Sequence, residues 1–120
     1  MPKLIFGCSH GRDDAERATL PFIAANVAAS AGQDAVVLLT VEGAWLATAG
    51  YADSIHFEGM PPLAPLIAEF LDNGGTIWAC GACTKPRQIT GDQLIKGAFI
   101  VGATKIVEEI ANGAQNVIFA

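Results

Sequence analysis

Thr76-Ile77-Trp78-Ala79-Cys80-Gly81-Ala82-Cys83-Thr84-Lys85-Pro86-Arg87 joins a β-prone run to a segment that cannot extend it. The turn Asn73-Gly74-Gly75 introduces Thr76 to Ala79, and the Gly, Pro and cationic residues that follow stop the strand. Cys80 therefore falls at a strand's C-terminal end, where open α/β sheets place ligands and reactive groups. Lys85 and Arg87 lie close in sequence, and the amides of the following turn favour a thiolate, so the Cys80/Cys83 pair reads as nucleophilic. The plain alternative is an inert pair of core cysteines, since unpaired Cys is among the most buried residue types. Two cysteines around a Gly-Ala spacer weaken it.

Working outward, Leu63, Leu66, Ile67, Phe70 and Leu71 recur at helical spacing and deliver the chain to Asn73-Gly74-Gly75. Ala35 to Thr40 is almost wholly apolar, as expected of a strand covered on both faces. Lys3 to Gly7 predicts a first strand, opening into Cys8-Ser9-His10-Gly11-Arg12. Between these two strands Leu20, Ile23, Ala24, Val27, Ala28 and Ala31 predict a helix that Gly32 stops. Two starts compete: Asp13 as cap with Pro21 kinking the interior, or Thr19 as cap with Pro21 in the first turn. The longer helix is preferred, with Asp13, Asp14, Glu16 and Arg17 as a solvated first turn.

Downstream, Thr90-Gly91-Asp92-Gln93 reads as a capping box opening a short helix through Lys96. Phe99 to Val101 predicts a strand, Ala103 to Ala111 a helix, and Asn116 to Phe119 a last strand. Residues 1–120 thus form one domain, a three-layer α/β/α, Rossmann-like fold around a five-stranded, mostly parallel sheet. Thr48 to Pro62 carries Gly50, Gly59 and Pro61-Pro62 and reads as an irregular connection, a lid or a subunit contact. His56 within it reads as an ordinary loop histidine. Cys8, His10, Glu42 and Trp45 follow the first two strands and, with Lys85, are candidates to line the same crevice as Cys80, although a packed, uninvolved Cys8 is the preferred alternative.

Composition narrows the functions. Charged residues make up 16% of the 120, against roughly 25% in an average domain, while hydrophobic residues reach 52%. That deficit of charge suggests a surface partly covered by another subunit. A net charge of −5 with seven Lys and Arg provides no basic stripe for a phosphate backbone, which argues against nucleic acid. No apolar run approaches the roughly 20 residues that span a bilayer. Three cysteines without a secretory leader pattern predict a thiol-reduced, cytoplasmic protein.

Gly7-Cys8-Ser9-His10-Gly11 matches neither the dinucleotide nor the phosphate-loop fingerprint, and Cys8 to Arg12 and Cys80 to Arg87 are wrongly spaced for a phosphatase loop. One C-x-x-C with Cys8, His10 and His56 falls short of a zinc set, so neither metal nor cofactor is expected. A dithiol oxidoreductase stays open, because C-x-x-C in an α/β chain can cycle through a disulfide. So does a non-catalytic module with an apolar small-ligand pocket around Trp45, Tyr51 and Trp78.

Leu71-Asp72-Asn73-Gly74-Gly75-Thr76-Ile77-Trp78-Ala79-Cys80 with Arg87, and Leu94 to Ala103, resemble the DsrE/DsrF-like (DsrEFH) family. Asp14 to Phe22 and Glu42-Gly43 are similar to its small stand-alone members, so the resemblance covers nearly the whole chain. It implies a sulfur-relay role: a cysteine ending the third strand carries a persulfide and passes its outer sulfur to a partner protein. The matching positions are Cys80 and Arg87, with donor and acceptor proteins as partners and a homo-oligomer, trimer or hexamer, as the assembly. Two positions depart from the pattern. Gln88 stands where the family has glycine, and Cys83 is an added thiol able to resolve a persulfide on Cys80 into a disulfide.

Overall fold

The computed structural model describes residues 2–117. Five strands, β1 (Leu4–Cys8), β2 (Ala35–Leu39), β3 (Thr76–Cys80), β4 (Ala98–Val101) and β5 (Gln115–Val117), form one sheet in the order β4-β3-β2-β1-β5. All four pairings are parallel. The chain steps from β1 to β4 in one direction and then returns across the sheet to β5. With right-handed crossovers that reversal puts the last helix on the opposite face from the first two. Gln115 begins the last strand one residue before the expected Asn116, and Ile118 and Phe119 lie outside the described residues.

Helices α1 (Ala15–Ser30) and α2 (Leu63–Asp72) cover one face. The cap of α1 is Asp14, not Asp13: its carboxylate accepts from the Arg17 amide at 3.0 Å, and its other oxygen takes the Arg17 guanidinium at 2.9 Å. The helix runs on through Pro21, whose missing N–H removes the usual fourth-residue donor from the Arg17 carbonyl. Both helices end alike. Gln33 N–H bonds the Ala28 carbonyl at 3.0 Å and Gly75 N–H bonds that of Phe70 at 2.9 Å, with Gly32 and Gly74 supplying the left-handed residue.

Strand alternation divides the interior. Phe6, Cys8, Val37, Leu39, Ile77 and Ala79 point toward α1 and α2 and meet Phe22 and Phe70, both fully buried and edge-to-face at 5.9 Å. Ile5, Val36 and Trp78 point the other way, toward α4 (Ala103–Ala111). That second face is thinly covered. Ile106 packs against it, yet no residue of α4 is buried, and Phe99 on edge strand β4 is 57% exposed. Among the described residues no helix is long and apolar enough to cross a membrane.

Two connections differ from their expected form. The capping box at Thr90 is present, with Gln93 Oε1 accepting from the Thr90 amide at 2.7 Å, but it opens only a three-residue 3-10 turn, Gly91–Gln93. Leu94 then bridges to Thr48 in antiparallel fashion and Ile95 N–H bonds Ala47, so tertiary pairing takes the residues a longer helix would have used. The stretch after Thr48 is pinned rather than loose. Its 3-10 turn Tyr51–Ser54 is followed by buried Ile55, whose carbonyl accepts from Leu63 N–H at 3.0 Å. His56 bonds only the nearby Met60 carbonyl, at 3.0 Å, as an ordinary loop histidine does.

Candidate functional site

The loops after β1, β2 and β3 gather at the sheet's C-terminal edge. The middle one, Val41–Ala47, is a 3-10 segment that packs against the other two. Gly43 seats its backbone on the first loop: a Cβ there would overlap the Cys8 carbonyl oxygen and lie 3.3 Å from the His10 nitrogen. Glu42 ties the segment to the third loop. Its Oε1 takes Arg87 Nη2 at 3.1 Å and Nε at 3.2 Å, while Arg87 Nη1 donates to the Cys83 carbonyl at 3.1 Å.

Cys80 ends β3 in extended conformation and caps the single-turn helix α3 (Gly81–Thr84), of which Cys83 is the third residue. Both thiols are free and half-buried. Thr84 is buried and its hydroxyl closes the turn onto the Gly81 carbonyl at 3.2 Å. Arg87 N–H and Ile89 N–H both return to the Thr84 carbonyl, at 3.1 and 3.0 Å, and between them Gln88 has φ +58°. A left-handed backbone is one that glycine adopts without a Cβ penalty. Gln88 holds the same turn at some strain.

The crevice candidates separate into groups. Glu42 joins Arg87 and the Cys83 carbonyl. Lys85 is exposed and makes no ion pair among the described residues. Trp45 stacks on Tyr51 with centroids 6.0 Å apart, and the Arg12 guanidinium lies 4.3 Å from the Tyr51 ring while donating to its carbonyl. Trp78 is elsewhere, packed with Ile5 and Val36 and approached by Lys3 and Lys105, so no pocket joins Trp45, Tyr51 and Trp78. His10 Nδ1 pairs with Asp13 Oδ2 at 2.9 Å, and Gly11 N–H donates to Asp13 Oδ1 at 2.7 Å. Burial pushes the Asp13 carboxyl up, but the Gly11 amide and His10 outweigh it and hold it below the usual carboxylate range.

Cys8 does not line the crevice. In register Cys8 pairs with Leu39 and Leu39 with Ala79, so Cys80, one residue on, faces the opposite side of the sheet. The Cys8 thiol is fully buried under α1, 3.5 Å from the His10 carbonyl and 3.7 and 4.0 Å from those of Ala18 and Arg17, the last being the carbonyl that Pro21 leaves without its helical donor. Burial pushes its pKa up to about 12, which keeps it a neutral thiol. Titration of the native protein with an aromatic disulfide at pH 8 is expected to count Cys80 and Cys83, with Cys8 reacting only in denaturant. A third fast thiol in native buffer would contradict this packing.

Three contacts here go beyond the sequence analysis: Glu42 with Arg87, Arg12 with Tyr51, and His10 with Asp13. The first two span 45 and 39 residues. The third is local, and the Asp two residues after Gly11 was its one visible cue. Among the described residues no cluster of three or more His, Cys, Asp or Glu is arranged to hold a metal.

Residues 2–119 match the model of the DsrE/DsrF-like family. The chain is 31% identical over 93 residues to an uncharacterized protein of Methanocaldococcus jannaschii, MJ0760; the match takes in 78% of this chain and spans about a third, 34%, of that relative's length. Among solved structures it is similar to the ychN protein from E. coli, with TM-score 0.81 and 16% identity over 99% of this chain and 100% of the other. It is also similar to MTH1491, a protein of unknown function from Methanobacterium thermoautotrophicum, with TM-score 0.73 and 19% identity over 98% and 99%. At such identities the two structures share the fold.

Proposed function

The chain belongs to the DsrE/DsrF-like family, generally associated with sulfur relay, and from that premise we propose that Cys80 is a sulfur carrier. The observation that supports it most is a free, half-buried thiol at the end of β3, at the C-terminal edge of the sheet. The Cys80 thiolate attacks the outer sulfur of a sulfane-sulfur donor. The donor's S–S bond breaks, its thiolate leaves with the electron pair, and Cys80 holds the sulfur as a persulfide anion. An acceptor thiolate then attacks the outer sulfur and Cys80 departs as thiolate, so the cycle consumes no oxidant.

Arg87 acts in this reading by position. Its guanidinium is committed to Glu42 and the Cys83 carbonyl, so it fastens α3 to the middle loop. Lys85 is the cation left to face a persulfide anion. The exposed apolar surface formed by Phe99, Val107 and Ile110 supports a homo-oligomer, and free thiols suit a reducing compartment such as the cytoplasm.

A second reading draws on Cys80 and Cys83 sharing one helical turn as cap and third residue. The Cys83 thiolate attacks the inner sulfur of the persulfide, forming a Cys80–Cys83 disulfide and expelling hydrosulfide; a dithiol reductant then resets the pair. Intact-mass spectrometry after exposure to inorganic polysulfide distinguishes the two. One added sulfur that the wild type keeps, that persists in Cys83→Ser and is absent in Cys80→Ser, is the result expected of a carrier. A wild type that ends as a disulfide without added sulfur, while Cys83→Ser holds one, transfers the case to dithiol redox chemistry.

A further inference from the structure

A hollow beside α2 leaves apolar surface open, and neither Cys80 nor Cys83 lines it. On its outer flank α2 carries Ala64 and Ala68, and these small side chains leave a cavity of about 250 Å³ against Leu46 and Ile95, open to solvent on one side. A larger side chain on this flank would fill it. The opposite wall cannot close the gap by relaxing, because backbone bonds fix it: Thr48 bridges Leu94, Ala49 N–H reaches the Gln93 carbonyl at 3.1 Å, and Ile95 N–H reaches that of Ala47 at 2.8 Å. An unfilled apolar cavity normally costs stability in proportion to its volume. A cavity of about 150 Å³ holds benzene, so this one has room for a ring and a short arm.

The polar groups at its rim select the ligand. Asp53 is the one ionisable side chain lining it, and among the described residues its carboxylate has no ion pair or hydrogen bond. Thr48 has spent its hydroxyl proton on the Trp45 carbonyl at 2.7 Å, so toward the cavity it can only accept. Both side chains at the rim therefore present acceptors. Asp53 is exposed, so water solvates its charge beside a neutral guest; an anionic guest meets like charge there, whereas an ammonium adds a partly exposed ion pair to Asp53 and a donor for Thr48.

We propose that this cavity binds a small apolar amine, its hydrocarbon body over Ala64 and Ala68 and its ammonium between Asp53 and Thr48. The site is independent of the sulfur chemistry, so its test leaves Cys80 untouched. Titrating the protein with 2-phenylethylamine, 2-phenylethanol and 3-phenylpropionate, followed by backbone amide shifts, reads it directly. Saturable shifts at residues 64–68 and 95 are expected, with the amine about three- to fivefold tighter than the alcohol, the range of a partly exposed ion pair, and the carboxylate weakest. Asp53→Asn should bring the amine and the alcohol level, and Ala68→Leu should abolish binding of all three while raising Tm; if Ala68→Leu does not fold, Ala64→Val takes its place. Absence of saturable shifts, equal affinity for amine and carboxylate, or amine binding unchanged in both variants would overturn the proposal.

Discussion

Phe70→Ala is expected to cost about 3–5 kcal/mol in equilibrium urea unfolding, the usual range for deleting a buried phenyl ring. Against a total of about 5–15 kcal/mol for a domain, that is a large part of the margin. The ring is fully buried and meets Phe22 of α1 edge-to-face, so it joins the two helices that cover one side of the sheet. It also fills the space beside residue 75: a Cβ at Gly75 would overlap the ring, so this turn and this side chain are fitted to each other. Truncation empties the junction of α1, α2 and the start of β3. The carbonyl of Phe70 still caps α2 through Gly75 N–H, so the helix itself should persist and the loss should fall on packing. A change below about 1 kcal/mol would mean that α2 does not seat on the sheet as described.

The elements were legible wherever their periodicity was strong. Ala35 to Leu39 reads as a doubly covered strand because it is one, with four of its five residues buried, and Leu63 to Leu71 shows its buried stripe in the spacing of Leu63, Leu66, Ile67 and Phe70. The placement of Cys80 followed from the same local signals. Asp13 and Asp14 differ by one position and are equally good capping residues, so composition could not choose; the choice is made by His10 and Gly11, which engage Asp13 from the preceding loop. The capping box at Thr90 was a sound signal with no apolar helical face behind it, and a single turn satisfies it.

Register and long-range pairing were out of reach. Whether Cys8 and Cys80 share a face depends on which residues of β1, β2 and β3 stand opposite one another, and a shift of one residue would reverse the answer. Arg87 looked like a free cation beside a thiolate because Lys85 and Arg87 are near Cys80 in sequence. Its partner Glu42 lies 45 residues away, and that pairing, which fastens the third loop to the second, has no local signal. Residues that act through the tertiary structure are the ones a linear reading assigns least well.

Gly43→Ala tests that fastening. The added methyl would overlap the Cys8 carbonyl oxygen, which already accepts the Thr40 amide at 3.0 Å, and neither partner is a flexible side chain that can turn away. Backbone must move, and overpacking of this kind costs about 1–3 kcal/mol, toward the upper end where backbone blocks the way. The adjacent Glu42 would be carried off Arg87, freeing α3 and with it Cys83. The expected result is a loss of about 2–3 kcal/mol together with a changed alkylation rate at Cys80 and Cys83. Glu42→Gln serves as the comparison. It removes the ion pair without displacing backbone, and since the Glu42 side chain is 41% exposed its stability cost should stay below about 1 kcal/mol. If both variants alter thiol reactivity and only Gly43→Ala is strongly destabilised, the three loops act as one unit, with Glu42 as the link to the cysteines. If Gly43→Ala unfolds as the wild type does, the first and second loops are not in contact in solution, and the crevice described here is not the one the thiols occupy.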